Sequence, residues 1–215
     1  MQAVTPSEIR NERVMNEAKF FVEPMAGYAL DVLAKIRNRP FIPHSLMELH
    51  NLKYCRDATG ATTAVEIGTY KGVTAKRLSR IFDRVVTVEI VPELYEISKK
   101  RCQKRKNIEL HLGDGANLLP KIAADVSNAV LFLDGHFSNA DTGQGEEPEP
   151  VLTELDHIVD HLGNFSAVVV DDFRCFGVDE GWPKKYEVLA KLEEVLPAPT
   201  WNHYVMNDQF LAVRA

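Results

Sequence analysis

The sequence predicts an α/β fold: a mostly parallel sheet with an N-terminal helical layer and an antiparallel C-terminal hairpin. Three observations predict it. From Ala64 onward, short apolar runs alternate with amphipathic segments, the pattern of successive βαβ units. The runs "VVTV" and "SAVVV" are apolar on both faces, as strands of a parallel sheet covered by helices on each side must be. The segment "WNHYVMNDQFLAVRA" reads as two strands around the turn residues Asn207 and Asp208.

Taken in order, the chain is helical in pattern from about Ser7 to Cys55, with apolar residues three and four apart and an interruption at Pro24. There follow a strand "AVEI", a helix "GVTAKRLSRIF", a strand "VVTVEI", a helix "PELYEISKKRCQKR" and the strands "IELHLGD" and "AVLFLD". A helix "PVLTELDHIVDHL", a strand "SAVVVDD" and a helix "KKYEVLAKLEEVL" lead to the hairpin.

The 215 residues suit one domain, and 45% hydrophobic with 26% charged residues is ordinary for a globular protein. A formal charge of -6 gives no basic surface for nucleic acid and points to a small-molecule partner. No apolar run approaches the ~20 residues that span a bilayer, and "MQAVTPSEIRNERVMNEAKFF" has no hydrophobic signal core. The expectation is a cytoplasmic protein without membrane or nucleic-acid partners. Cys55, Cys102 and Cys175 are far apart and odd in number, which fits neither a disulfide framework nor a zinc pattern.

In an open α/β sheet ligands bind beyond the carboxyl ends of the strands. The first end reads "VEIGTYKGVTA", where Glu66, Gly68 and Gly72 surround a tight strand-to-helix turn whose missing side chains let a ligand approach backbone N–H groups. Its spacing is not the GxGxxG of dinucleotide enzymes, and plain turn chemistry is the alternative. The second strand ends at Glu89, 21 positions beyond Gly68, where an acid can accept from both ribose hydroxyls of an adenosine. The third ends in "HLGDG", placing Asp114 where a side chain can meet an adenine amino group; a simple Gly-Asp-Gly turn is the alternative.

These three stretches resemble the successive motifs of class I S-adenosylmethionine-dependent methyltransferases, from about Ala64 to the C-terminus. The resemblance implies a Rossmann-like, doubly wound, mostly parallel seven-stranded sheet, with residues 1–60 as a helical layer and 61–215 as the methyltransferase domain. It implies a donor site of Glu66, Gly68, Thr69, Tyr70, Gly72, Glu89, Ile90, Gly113, Asp114, Gly115 and Asp134. Rival readings are a nicotinamide-dependent oxidoreductase and a non-catalytic adenosine-binding protein.

The fourth strand stops at Asp134 and the fifth at Asp171 and Asp172, so neighbouring strands can deliver three carboxylates to one rim. Such a cluster is costly unless a cation sits in it, and oxygen ligands favour Mg²⁺, then Mn²⁺ or Ca²⁺. Capping of the following turns is the alternative. The pattern resembles divalent-metal-dependent O-methyltransferases of the catechol and caffeoyl-CoA groups and, in its paired Asp, the antibiotic-sugar enzymes. That resemblance implies methyl transfer to a hydroxyl, with His136 taking the acceptor's proton; a metal-ligand role for His136 stays open. Arg174 reads either as a holder of an anionic substrate group or as a salt-bridge partner of the acids. Phe137 and Trp182 read as acceptor-pocket lining or packing, and "NADTGQGEEPEP" as a cover or an acidic surface loop. His157 and His161 stand four apart without the glutamate of a zinc motif, which favours a solvated helix face. The N-terminal layer offers a surface for a homodimer.

Overall fold

The structure, a computed structural model, describes residues 25–39, 45–135, 150–179 and 181–215. The chain divides into two compact units, Met1–His50 and Asn51–Ala215. In the first, helix α1 covers 25–36, and α2 (Ser45–Thr59) begins. There the Tyr28 and His50 rings meet edge-on with centroids 5.3 Å apart. The expected helical pattern is present in α1 and continues past Cys55 to Thr59; its start and the Pro24 interruption lie outside the described residues.

The second unit is one seven-stranded sheet: β1 (Thr63–Ile67), β2 (Arg84–Glu89), β3 (Ile108–Leu112), β4 (Ala129–Leu133), β5 (Phe165–Val170), β6 (Trp201–Met206) and β7 (Gln209–Arg214). Their order is β3-β2-β1-β4-β5-β7-β6. The first five strands are parallel, and β7 runs antiparallel to both β5 and β6. Asn207 and Asp208 turn the terminal hairpin with φ of 49° and 65°, the paired left-handed geometry of a two-residue loop that matches strand twist.

Every residue of β1 and β4 is buried. On one face Val65, Ile67, Val86, Val88, Leu131, Leu133, Val168 and Val170 form a continuous core. It packs with Leu119 and Ile122 of α5 (Gly115–Asp125), Leu155 of α6 (Val151–His157) and Leu192 of α7 (Lys185–Val195). The alternating residues Ala64, Glu66, Val85, Thr87, Val130 and Phe132 are buried on the other face. The helices α3 (Val73–Leu78) and α4 (Pro92–Cys102) complete the βα alternation. No helix among the described residues is long and apolar enough to cross a membrane.

Two departures from the expected elements have physical causes. Residues 115–125, unassigned from periodicity, form α5 although Pro120 lies inside it. Pro120 has no N–H for the carbonyl of Ala116 four residues back, and His157 Nδ1 stands 2.7 Å from that oxygen. A carbonyl only accepts, so the imidazole supplies the hydrogen the proline lacks. His157 is therefore a tether between α6 and α5, not part of a solvated face. The segment expected as one helix to Leu162 breaks after His157 into a 3₁₀ stretch, Val159–Asn164, in which His161 is non-helical.

Candidate active site

The crevice opens where the strand order reverses: β1 lies between β2 and β4, and successive crossovers leave on opposite sides, exposing the carboxyl ends of β1 and β4 to a ligand. Gly68 begins the turn after β1 with φ 97°, and the N–H groups of Gly68 and Thr69 both reach the Val88 carbonyl, at 3.1 and 3.0 Å. A Cβ on Gly68 would stand 2.2 Å from the Asp134 carbonyl oxygen. The end of β4 thus passes directly against this turn, and only glycine admits it. Gly72, with φ 71°, precedes α3, and a Cβ there would meet Ser98 at 2.9 Å, so its small size lets α4 approach.

Two acids lie beneath the turn. Glu66 is fully buried on β1 and accepts from Thr87 Oγ1 at 2.5 Å. Thr69 Oγ1 stands 2.5 Å from the same hydroxyl. Because the Thr87 hydrogen is committed to Glu66, Thr69 is the donor to Thr87. Glu66 Oε1 has no hydrogen-bond partner among the described residues. Burial pushes the Glu66 carboxyl up to about 8. Glu89, at the end of β2 and 4% exposed, accepts from Tyr70 N at 2.6 Å through Oε2 and from Val91 N at 2.9 Å through Oε1. Its pKa is raised by burial against the pull of those backbone donors. One carboxylate therefore joins the turns after β1 and β2, and each oxygen keeps a second lone pair. Ile90 follows it in the same turn, while the Tyr70 side chain is exposed.

On the third turn Gly113 N donates to the Glu89 carbonyl at 2.9 Å. Asp114 caps α5, accepting from Asn117 N at 3.3 Å. A Cβ on Gly115 would lie 2.3 Å from Ile67 Cγ2, and one on Gly135 would lie 3.2 Å from the same methyl. Ile67 is thus held between the two glycines. Glu154 Oε1 lies 3.6 and 3.7 Å from those two Cβ positions, and the residue is 2% exposed. Sequence reasoning missed it. Its signal was available, since Glu154 shares the helical stripe of buried Val151, Leu155 and Ile158.

The acid rim is built differently. Asp171, 5% exposed, donates its N–H to the Leu133 carbonyl. Its Oδ1 accepts from Asp172 N at 2.8 Å and Gln209 Nε2 at 3.3 Å. Gln209 Oε1 accepts in turn from Asn51 Nδ2 at 2.7 Å, and Asn51 Oδ1 from Asn207 Nδ2 at 2.9 Å. Asp172, at φ 48°, accepts through Oδ1 from Arg174 Nη1 at 2.6 Å, and the same nitrogen donates to Asp208 Oδ2. Of the two sequence readings for Arg174, the structure shows the salt bridge. Among the described residues no three His, Cys, Asp or Glu side chains come together in a group that could hold a metal ion. Asp134, Asp171 and Asp172 as arranged do not fit a divalent ion, because the Asp172 carboxylate is turned to a guanidinium. Trp182 packs edge-on against Phe176, with centroids 5.1 Å apart. His136, Phe137 and the "NADTGQGEEPEP" stretch to Glu149 lie outside the described residues.

Solved structures share this architecture. The O-methyltransferase from Bacillus cereus in complex with SAH superposes with a TM-score of 0.57 at 18% identity, over 85% of this chain and 87% of that one. The O-methyltransferase TomG from Streptomyces achromogenes, involved in tomaymycin synthesis and in complex with SAM, gives 0.56 at 18% identity over 85% and 86%. An SAH-bound methyltransferase from Podospora anserina gives 0.57 at 14% identity over all of both chains. The fold is that of the Rossmann-like methyltransferases. No family model matches the chain, and no curated protein matches it.

Proposed function

We propose that this chain is an S-adenosylmethionine-dependent methyltransferase that methylates a hydroxyl of a small molecule. The observation that carries the reading is Glu89, a buried carboxylate fixed by backbone donors from two turns beside the switch point. A nucleoside's ribose hydroxyls would use the lone pairs that remain. The turns are also tight enough to present backbone to such a donor, since Gly68 and Gly115 let β4 and Ile67 pack directly against them, and Glu66 Oε1 is a buried oxygen with no partner among the described residues.

S-adenosylmethionine, when bound, supplies an electrophilic methyl group on a sulfonium sulfur. Glu89 would orient the ribose, the Gly113–Gly115 turn the adenine, and Glu66 the methionine end. His136, two residues beyond Asp134, would take the hydroxyl proton as the oxygen attacks, contributing on the order of 10² to 10⁴ in rate. Alignment of acceptor and donor on the rigid strand ends supplies the positioning.

Calorimetric titration with S-adenosylhomocysteine and, separately, NADH tests the donor site. One equivalent of S-adenosylhomocysteine and no NADH is expected; the reverse removes the reading. Labelled methyl transfer to a panel of diols and catechols then tests the hydroxyl specificity.

A further inference from the structure

We propose that Arg174 is the resident cation of the acid rim: its guanidinium holds, between Asp172 and Asp208, the position in which a divalent ion would otherwise offset those charges. Asp171, Asp172 and Asp208 are joined in one network, Asp171 through the Asp172 N–H and Asp208 through Arg174. Asp172 and Asp208, which meet at one guanidinium nitrogen, repel unless a positive charge is shared between them. Arg174 Nη1 donates to both Asp172 and Asp208. The main chain of the residue is held beside Asp208. Its N–H donates to Asp208 Oδ1 at 2.9 Å, and its carbonyl accepts from Lys185 Nζ at 2.9 Å. The neighbouring Phe173 N–H also reaches the Asp208 carbonyl at 2.8 Å. A guanidinium stays protonated throughout the working pH range. Its side chain is 40% exposed, so the pairs add little to folding; their effect is to occupy the carboxylates.

The catalytic half of this inference rests on the methyltransferase reading, but the binding half does not. Mn²⁺ titration followed by electron paramagnetic resonance measures it directly on wild type, Arg174→Lys and Arg174→Gln. Wild type and the lysine variant should bind Mn²⁺ at millimolar levels or weaker. Arg174→Gln, having lost a unit charge at the site, should bind at least about tenfold more tightly, and adding Asp172→Asn should cancel that gain. Micromolar binding of one Mn²⁺ by the wild type overturns the proposal, an outcome independent of how the variants fold. Equal affinity in wild type and a folded Arg174→Gln overturns it as well. If methyl transfer is found, it should survive EDTA; loss with EDTA and return with Mg²⁺ sinks the resident-cation proposal while leaving the methyltransferase reading intact. The expected Mn²⁺ pattern in a protein that binds no S-adenosylhomocysteine does the opposite.

Discussion

The turns after β1 and β2 and the rim after β5 both present buried acids at strand ends, yet they hold them in opposite ways. Glu89 is gripped by backbone N–H groups, from Val91 two residues away and Tyr70 nineteen away. Asp171 takes one backbone donor, the adjacent Asp172 N–H, but the rest of the rim depends on side chains from the β6–β7 hairpin and α2: Gln209 at 38 positions' distance, Asp208 at 34 from Arg174, and Asn51 at 158 from Gln209. Backbone donors come with the fold of any sequence, whereas side-chain donors come only with particular residues. The nucleoside crevice should therefore tolerate changes in the hairpin, and the acid rim should not.

The largest effect that would test this contrast is Gly68→Ala. The alanine methyl meets the Asp134 carbonyl in a backbone conformation unfavourable to L residues, and a loss of about 3 kcal/mol in denaturant unfolding is expected. A stable variant would mean that β4 does not press on the turn. Next is Glu89→Ala, which should weaken S-adenosylhomocysteine binding on the order of 100-fold by calorimetry while leaving saturated turnover within a few-fold. Gln209→Ala sharpens the comparison from the other side. It strips partners from Asp171 and Asn51, lowering stability by about 2 kcal/mol, with S-adenosylhomocysteine affinity unchanged within twofold. A large affinity loss there would couple the two regions.

The buried Glu66 gives a pH signature. Its folded pKa of about 8 lies above the ordinary carboxylate value, so between about pH 4.5 and 8 the folded state keeps a proton that the unfolded state has released. Stability from this group is full below that window and declines across it, by up to about 1.4 kcal/mol per pH unit. Denaturant melts of wild type and Glu66→Gln at pH 5 and pH 8 should differ in this slope, and parallel slopes would place the proton elsewhere. The smallest effect is His157→Ala. Leaving the Ala116 carbonyl without its donor should destabilise by about 1 kcal/mol, and the loss should shrink in a Pro120→Ala background, where residue 120 regains an N–H. An equal loss in both backgrounds would remove the tether.

The same contrast explains what the sequence revealed. The wholly apolar "AVVV" run of β5 and the glycines of the first turn carry their structural meaning locally, and the parallel sheet, hairpin and crevice were readable from them. α5 was not, because Gly115 and Pro120 argue against a helix and the compensating imidazole comes from position 157. The trio of strand-end acids suggested a shared cation; of the three, Asp172 pairs with Arg174, which Asp208 holds across a hairpin whose docking no local pattern encodes. Glu154 was legible in principle, as an acid within an apolar stripe.

The place of β7 in the sheet has a consequence for how the molecule is assembled. β5 finds its second neighbour only when the later β6–β7 hairpin inserts, with Val168 opposite Ala212 and Val170 opposite Phe210. Until then the uncharged run Phe165–Val170 is a bare sheet edge, able to pair with the same edge of another nascent molecule. Closing that gap requires a non-local pairing, the slow kind. Substitutions that disturb the Asn207–Asp208 turn should then appear first as low soluble yield, and the molecules that do complete the sheet should also melt lower, because Asp208 and Asn207 hold Arg174 and Asn51.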